Sequence, residues 1–491
     1  MTIRLLIALV LASAGCGSGS GSGGAPASQT APPSSAALMT ITSKSSPAVE
    51  HFRKGESLFF NVRTTEAANE FSEALKLDPD FVLAHVFHGQ SVPGPEGLKE
   101  LEVAAAGASG LPEAERLFVE AALADRRGES AKRRELATRL TQAAPGDWRS
   151  HNMLGFFLLD EHKFADAIPS LRKATELNPQ AGSAYNLLGY AALRQGDTGG
   201  AIAAFTEYAR AMPQEPNAQD SLGEAFMAAG RFDEAVAAFR KAEDLSPQFW
   251  NAEQGIAYAR FFAGNAPAAR EALTKARAIA PRPVDKLDVD DVLAAVAAAE
   301  GSMAEALRVL AAAEKTADAL PSSAFASIHR AMVLVGMKRY RESLPLDAVA
   351  LQRADSGELP ESVSRELRVQ ALRARIAAEA GLSDAAGAQR TAAALADAAK
   401  ARTDDLNVQS SMQYGAGMLA MMNGDFASAR AHFEQCLTDD HFCRLEIVTA
   451  ADRSGDKPGA QAARTELLKV YLRNPIHVIV RSRLTQSLAA R

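Results

Sequence analysis

Apolar and small residues return along this chain at fixed positions, and the spacing between them fits helices rather than strands. No alternation of apolar and polar residues with a period of two interrupts the series. Prolines mark a longer period, because they recur every 34 residues at positions 145, 179, 213, 247 and 281. A fixed period of this length predicts a stack of helix pairs, one pair in each period.

Each period repeats the same small and large residues. The first helix holds a glycine or alanine, and the second holds an alanine followed four residues later by a large apolar residue. These sets are Gly55, Ala67 and Phe71; Gly155, Ala167 and Leu171; Gly189, Ala201 and Phe205; Gly223, Ala235 and Phe239; and Ala257, Ala269 and Leu273. Small residues let two helices approach closely, and proline ends a helix because it lacks an N–H donor. Turns such as Gly196-Asp197, Gly230-Arg231 and Gly424-Asp425 are expected to end the first helices.

This pattern resembles the tetratricopeptide repeat (TPR). The resemblance is strong over residues 148–283, fair over 47–147 and looser over 284–474. It implies an all-α fold, a superhelical solenoid of antiparallel helix pairs. We therefore expect a TPR array over 47–283 and degenerate TPR-like helical repeats over 284–491.

The amino terminus has the features of an export signal. Arg4 precedes a short apolar run over residues 5–12, which is too short to span a bilayer as a helix. Ala14-Gly15-Cys16 resembles a bacterial lipobox, although Ser13 stands where that family usually has leucine. The resemblance implies a signal peptide over 1–15 and lipidation of Cys16. Ordinary cleavage after Ala14 is the alternative.

Residues 16–46 are predicted to form a flexible tether after the signal peptide. The stretch from Gly17 is rich in Gly, Ser and Pro and has almost nothing to bury. A lipid on Cys16 would hold the protein on a membrane, and Gly17 after the cysteine favours the outer membrane, on its periplasmic or surface face. A soluble periplasmic or secreted protein is the alternative.

Composition and charge narrow the classes of partner. The chain has 491 residues and a formal net charge of -6, which argues against a nucleic-acid surface. Its sequence contains no phosphate loop, no Gly-x-Ser-x-Gly elbow and no His-Glu-x-x-His helix. We expect no enzymatic activity and no cofactor.

Two clusters of metal-binding residue types have simpler explanations than a metal site. His85 and His88 share a face of a predicted helix, but no further ligands accompany them. An acidic run lies at the start of a predicted helix, where carboxylates cap the helix and favour its dipole. It consists of Asp285, Asp288, Asp290 and Asp291. No metal site is predicted.

Cys436 and Cys443 are predicted to lie on either side of a short turn between two helices. Such a turn can bring the two Cα atoms within disulfide range, and an exported compartment is oxidising. A disulfide is therefore predicted, with two buried thiols as the alternative.

The resemblance to TPR arrays implies a binding surface on the first helix of each pair, along the concave face. One phase of that face gives a polar row and a second gives a largely aromatic row, a combination suited to an extended peptide. The predicted groove residues are Asn152, Phe156, Asn186, Tyr190, Arg194, Asp220, Glu224, Gln254, Tyr258 and Phe261. The alternative is that they are ordinary surface and inter-repeat residues.

We therefore expect a scaffold or adaptor that binds protein or peptide segments, in envelope assembly or secretion. The alternative is a sensor or carrier subunit that binds a small molecule or glycan.

Overall fold

A computed structural model describes residues 37–489, apart from residues 62, 318–323, 358, 360 and 401–404. The predicted signal peptide, Cys16 and the stretch 17–36 lie outside the described residues. All regular structure in the described ranges is helical, which confirms the prediction of an all-α solenoid of helix pairs. None of the helices in these ranges is long and apolar enough to cross a membrane.

The chain divides into two compact units, Met1–Pro213 and Gln214–Arg491. The described part of unit 1 contains five helix pairs, in which the two helices of each pair pack on each other. Its helices are α1 Ser46–Phe60, α2 Thr64–Leu77, α3 Val82–Ser91, α4 Gly94–Gly107, α5 Glu113–Arg126, α6 Ser130–Ala143, α7 Trp148–Asp160, α8 Phe164–Leu177, α9 Gly182–Arg194 and α10 Thr198–Ala211.

Unit 2 contains seven helix pairs and a final single helix within its described residues. Its helices are α11 Pro216–Ala228, α12 Phe232–Leu245, α13 Trp250–Phe262, α14 Ala266–Ile279, α15 Pro283–Ala299, α16 Met303–Ala317, α17 Ala324–Gly336, α18 Tyr340–Asp355, α19 Glu361–Gly381, α20 Ala385–Ala399, α21 Leu406–Met422, α22 Phe426–Phe433, α23 His441–Ser454, α24 Lys457–Leu468 and α25 Pro475–Ala489. The last helix, α25, packs against α15, α17, α23 and α24, which are far apart in sequence.

The two helices of a pair pack through the small and large residues of the repeat. A Cβ atom on Gly223 would lie 2.6 Å from the ring of Phe239, and the same ring approaches Gly255 of the next pair equally closely. Phe239 is fully buried. The glycines of α11 and α13 are thus the positions where the first helices come closest to the large residue of α12.

The turn between the helices of a pair uses a left-handed residue. Gly196 has φ of 80°, and the chain returns to this conformation at Gly128, His162, Gly230 and Gly264, at intervals of 34 residues. Only glycine adopts this conformation without steric cost. The turn that ends the first helix is thus built by the same backbone in successive repeats.

Residues 37–45 correct the predicted extent of the flexible tether, which was placed over 16–46. Met39 is buried, and its backbone N–H donates to Asp147 at 3.2 Å. The hydroxyls of Thr40 and Thr42 donate to Glu115 of α5, and Ser43 donates to Asp78 at 2.5 Å. These small polar residues, which read as linker in sequence, are donors for buried carboxylates of unit 1.

Candidate functional site

The first helices of the pairs form one face of each unit, called here the first-helix face. In unit 1 it holds Asn152 and Phe156 of α7 and Asn186, Tyr190 and Arg194 of α9. Asn152 is only 7% exposed, whereas the other four are half-buried. The Tyr190 ring packs edge-on against Phe205, with the ring centroids 5.2 Å apart. Unit 1 therefore presents one amide, two aromatic rings and a cation on adjacent first helices, while the amide of Asn152 is buried.

In unit 2 the predicted groove residues lie on α11 and α13, and most are covered. Asp220, Gln254 and Tyr258 are 5%, 5% and 2% exposed, while Glu224 and Phe261 are half-buried. Part of this cover comes from the connector between α24 and α25, residues 469–474. The face that was predicted to bind a partner is here in contact with the chain's own carboxyl-terminal part.

Arg473 of the connector is bound between α11 and α13. Its Nη1 donates to Oδ2 of Asp220 at 2.8 Å, and its Nη2 donates to the backbone carbonyl of Asn251 at 2.8 Å. The guanidinium carbon lies 5.6 Å from the centre of the Phe239 ring. We call this set, the Asp220 carboxylate, the Asn251 carbonyl and the Phe239 ring, the arginine cradle.

Tyr471 is the second anchor of the connector. Its ring packs edge-on against Phe232 and Phe262, at centroid distances of 5.0 and 5.5 Å. Arg481 of α25 lies over the outer side of the Tyr471 ring, 4.2 Å from its centre. The connector therefore binds through an aromatic residue and an arginine two positions later.

The cradle is surrounded by carboxylates that are shielded from solvent. Burial raises the pKa of Asp220 above its ordinary value, and the positive charge of Arg473 acts in the opposite direction. Burial likewise raises the pKa of Asp288, whose carboxylate accepts a hydrogen bond from Gln254 at 2.7 Å. Gln254 is therefore engaged within the fold, and Arg473 places a cation where buried carboxylates need one.

Sequence reasoning missed Arg473 and Tyr471, because the regular proline spacing stops at Pro281 and gives no phase to the last helices. The only local signal was Asn474-Pro475, a turn and helix-start pair directly after the arginine.

The acidic run lies within the first half of α15, and its carboxylates have different partners. Asp285 accepts a hydrogen bond from the backbone N–H of Arg282 and caps the helix. Asp290 accepts from Arg277 at 2.6 Å, and Asp291 lies 3.8 Å from Arg330. These carboxylates contact cations and the helix start rather than one another.

The two histidines of α3 share one carboxylate. The Nδ1 atoms of His85 and His88 lie 2.6 and 3.8 Å from the two oxygens of Glu100. Glu100 thus links α4 to α3 through a hydrogen bond with His85, with His88 beside it.

Cys436 and Cys443 are joined in a disulfide in the structure. The bond connects the turn after α22 to the first turn of α23. Asp440 caps α23 by accepting a hydrogen bond from the N–H of Cys443 at 3.1 Å. Oδ1 of Asp440 also accepts a hydrogen bond from Nη2 of Arg373 at 2.7 Å. Although Cys436, Asp440 and Cys443 lie together, the sulfur atoms bind each other and are not available as metal ligands.

Unit 2 also contains a cavity of about 580 Å³ beside α25. Its wall is apolar at Met303, Met337 and Ile479, and it carries Lys338 and Arg483. The positive charge of Arg483 and, to a lesser degree, burial lower the pKa of Lys338. The wall also carries Asp452 and Arg464, so three cations and one carboxylate line a cavity of mixed polarity.

Comparisons with known proteins identify the repeats. Tetratricopeptide repeat family models match residues 158–216 and 226–296. No curated protein matches the chain.

Solved structures of repeat proteins match parts of the chain. The MamA protein is 23% identical, with 34% of this chain and 91% of that chain covered and a TM-score of 0.32. MamA from Desulfovibrio magneticus RS-1 is 19% identical, with 34% and 94% covered and a TM-score of 0.32. YrrB, described as a TPR protein with an unusual peptide-binding site, is 14% identical, with 45% and 97% covered and a TM-score of 0.29. The likeness concerns the repeat fold alone.

Proposed function

Because the chain carries tetratricopeptide repeats, we propose that it is a non-enzymatic scaffold that binds extended protein segments on its first-helix face. Stacked helix pairs create long surfaces of this kind, and an extended segment can use the polar residues for alignment and the rings for buried area. The proposal concerns protein or peptide partners and no nucleic acid.

One observation carries this proposal. In unit 2 a non-helical stretch of protein, the connector 469–474, already lies on the first-helix face and is held there by Asp220 and the Asn251 carbonyl. The face therefore holds a non-helical segment through a side chain of α11 and the backbone of α13, two neighbouring first helices. In unit 1 the corresponding half-buried residues of α9 are the proposed contacts with a separate partner.

The test is crosslinking in cells followed by recovery of partners. The double variant Asn186→Ala with Tyr190→Ala should reduce recovery about ten-fold or more, because aromatic anchors dominate binding energy. The matched control is Lys173→Ala with Glu176→Ala, which removes an exposed ion pair on the second helix α8. Unchanged recovery with Asn186→Ala and Tyr190→Ala, at unchanged helicity, would remove the assignment of this face.

We further propose that the protein is exported and held on a membrane through a lipid on Cys16, facing the periplasm or the surface. Support comes from the lipobox-like residues before Cys16 and from the disulfide, which is typical of oxidising compartments. Cell fractionation of Cys16→Ala tests this. Release of the variant into the soluble fraction is expected, and retention on the membrane would exclude the lipid anchor.

A second candidate function rests on the cavity beside α25. Its wall combines apolar residues with Lys338 and Arg483, while Arg464 is paired with Asp452, and this excess of positive charge suits a small anionic ligand. Such a ligand should raise the thermal midpoint of the wild-type chain and not that of Arg483→Ala. Equal midpoints with and without anionic metabolites or glycan fragments would leave the scaffold as the single proposal.

A further inference from the structure

We infer that the first-helix face of unit 2 is a receptor for protein segments with an arginine and, two positions before it, an aromatic residue. Tyr471-Leu472-Arg473 is its resident occupant, which a partner segment of the same chemistry displaces. The inference rests on the proposed function, since it names the partner chemistry for one part of the same face.

The cradle selects arginine over other side chains. One planar group reaches a carboxylate and a backbone carbonyl, both at 2.8 Å, while its carbon lies within 6 Å of a ring centre. A lysine ammonium cannot present two separated donors in one plane. The chemistry of the occupant is therefore set by the cradle and not only by charge.

The resident arginine leaves one atom of the cradle without a hydrogen bond. Oδ1 of Asp220 is buried and has no hydrogen-bond partner among the described residues. An arginine that approaches Asp220 with two parallel N–H groups would satisfy both carboxylate oxygens, as in common bidentate pairs. The cradle can thus hold a partner arginine more completely than it holds Arg473.

Two aromatic rings lie beside the cradle. They contact Tyr471, which is two positions before Arg473. The Tyr471 ring rests between Phe232 of α12 and Phe262 of α13. The connector brings both side chains to this face with a tight turn at Arg473, closed by the Asn474 N–H and the Leu472 carbonyl at 2.8 Å. A partner with the same spacing therefore places its ring and its guanidinium on the face together.

Acidic groups around the cradle favour a cationic segment. Glu224, Asp288 and Arg473 all act electrostatically on the buried Tyr258 hydroxyl, which places them around one site. Asp291 acts on the same hydroxyl but already faces Arg330. Asp220, Glu224 and Asp288 thus remain around Arg473, the one connector cation in the cradle. The surplus of negative charge attracts further cations from a partner and weakens with added salt.

The connector is not helical, and Lys469 is exposed while residues 470–474 are half-buried. Being part of the same chain, it competes with a partner at an effective concentration on the order of millimolar. A partner segment must therefore bind more tightly than the resident or be present at high local concentration.

The experiment measures binding of a labelled peptide with the sequence of residues 469–475 to the full chain. We expect Arg473→Ala, which vacates the cradle, to bind this peptide at least ten-fold more tightly than the wild type. Adding Asp220→Asn to Arg473→Ala should reverse the gain, and a control peptide with alanine at the Arg473 position should not bind. Equal binding of the two peptides, or no binding to a folded Arg473→Ala chain, would overturn the inference.

A second measurement uses the wild-type chain and covers the case in which Arg473→Ala does not fold. Roughly 1 mM peptide should speed hydrogen exchange of the amides of residues 469–474, because the resident connector is displaced. Unchanged exchange at that concentration would show a purely structural connector. Because Asn186 and Tyr190 lie in unit 1, loss of the cradle inference leaves the crosslinking test of the proposed function intact.

Discussion

The side chain of Asp347, in α18, is fully buried, and neither of its carboxylate oxygens has a hydrogen-bond partner among the described residues. Burial raises the pKa of Asp347 from 3.8 to about 8, with Arg375 lowering it and Glu379 raising it further. The folded chain therefore holds a proton on this group over a range of pH in which the unfolded chain has lost it.

This difference predicts a pH-dependent stability. Because the folded pKa lies above the unfolded value, the group stabilises the fold below about pH 4, and this contribution is lost as pH rises towards 8. The slope is about 1.4 kcal/mol per pH unit in that window. Asp347→Asn should remove this slope from the free energy of unfolding in urea, compared with the wild type at each pH.

Ser343→Ala is the matched control for Asp347→Asn, since it changes a neutral buried residue of the same helix. It should keep the wild-type slope even if it lowers stability. A wild-type slope in Asp347→Asn would show that the buried carboxyl does not titrate in this window.

A turn ends each first helix, and the residue that adopts a positive φ in this turn differs along the chain. Most turns use a glycine with positive φ, but Ser383 occupies the same conformation with φ of 62°. Ser383 is exposed. A serine side chain adds strain in this conformation and no buried contact that would compensate.

Ser383→Gly should therefore stabilise the protein by about 0.5–1 kcal/mol. The reverse change, Gly424→Ala with φ of 76° and open space around the new Cβ atom, should destabilise it by about 1 kcal/mol. Urea denaturation of both variants measures the two effects. If both substitutions changed the free energy of unfolding in the same direction, backbone conformation would not govern the stability of these turns.

The disulfide adds a covalent link between two consecutive helices. Closing a loop of this length contributes about 2–3 kcal/mol in the chain-entropy treatment. Replacing Cys436 and Cys443 by serine should lower the free energy of unfolding by that amount in unreduced protein and by little in reductant. In unreduced, denatured protein neither cysteine should react with a thiol reagent. Two reactive thiols besides any at Cys16 would contradict the bond.

Helices and their pairing could be predicted from the sequence because their determinants are local. Gly189 and Phe205, for example, are separated by a single turn, and the same spacing recurs one period later at Gly223 and Phe239. The end of the tether could not be predicted, because Thr40 and Thr42 gain their role only from Glu115, which is buried far along the chain.

At the scale of the whole molecule, α25 departs from the rule that a repeat touches only its neighbours. Val478 and Val480 are fully buried, and α25 joins α15 and α17 to α23. Contacts of this kind make distant pairs stabilise one another.

Ile479→Ala should therefore increase hydrogen exchange in α15, α17 and α23 together, with a loss of about 2–4 kcal/mol in unit 2. Leu395→Ala is the matched control, because Leu395 of α20 packs with Ile376 of its own pair and with Val408 of the next pair. Its effect should be confined to α19–α21. If Ile479→Ala increased hydrogen exchange only in α24 and α25, α25 would not stabilise the distant helices.

The occupied part of the first-helix face could not be predicted from the sequence either, because its two partners are far apart along the chain. Arg473 and Asp220 are 253 residues apart in sequence. The sequence placed Asp220 on a binding face, but the residue that contacts it lies beyond the range in which the repeat keeps its phase. Only the three-dimensional arrangement shows that a predicted contact for a partner is a contact within the chain.

The docked segment 37–45 determines how mechanical force would enter the molecule. A pull on the amino-terminal chain would first load the bond from Gly146 N–H to the Ala37 carbonyl and the bond from Met39 N–H to Asp147. These attachments lie at the start of α7, and Arg149 braces them by donating to Asp147 and to the Met39 carbonyl. The force would thus reach the middle of unit 1 before it reaches α1. The first helix pair is therefore protected from a pull on the amino-terminal chain.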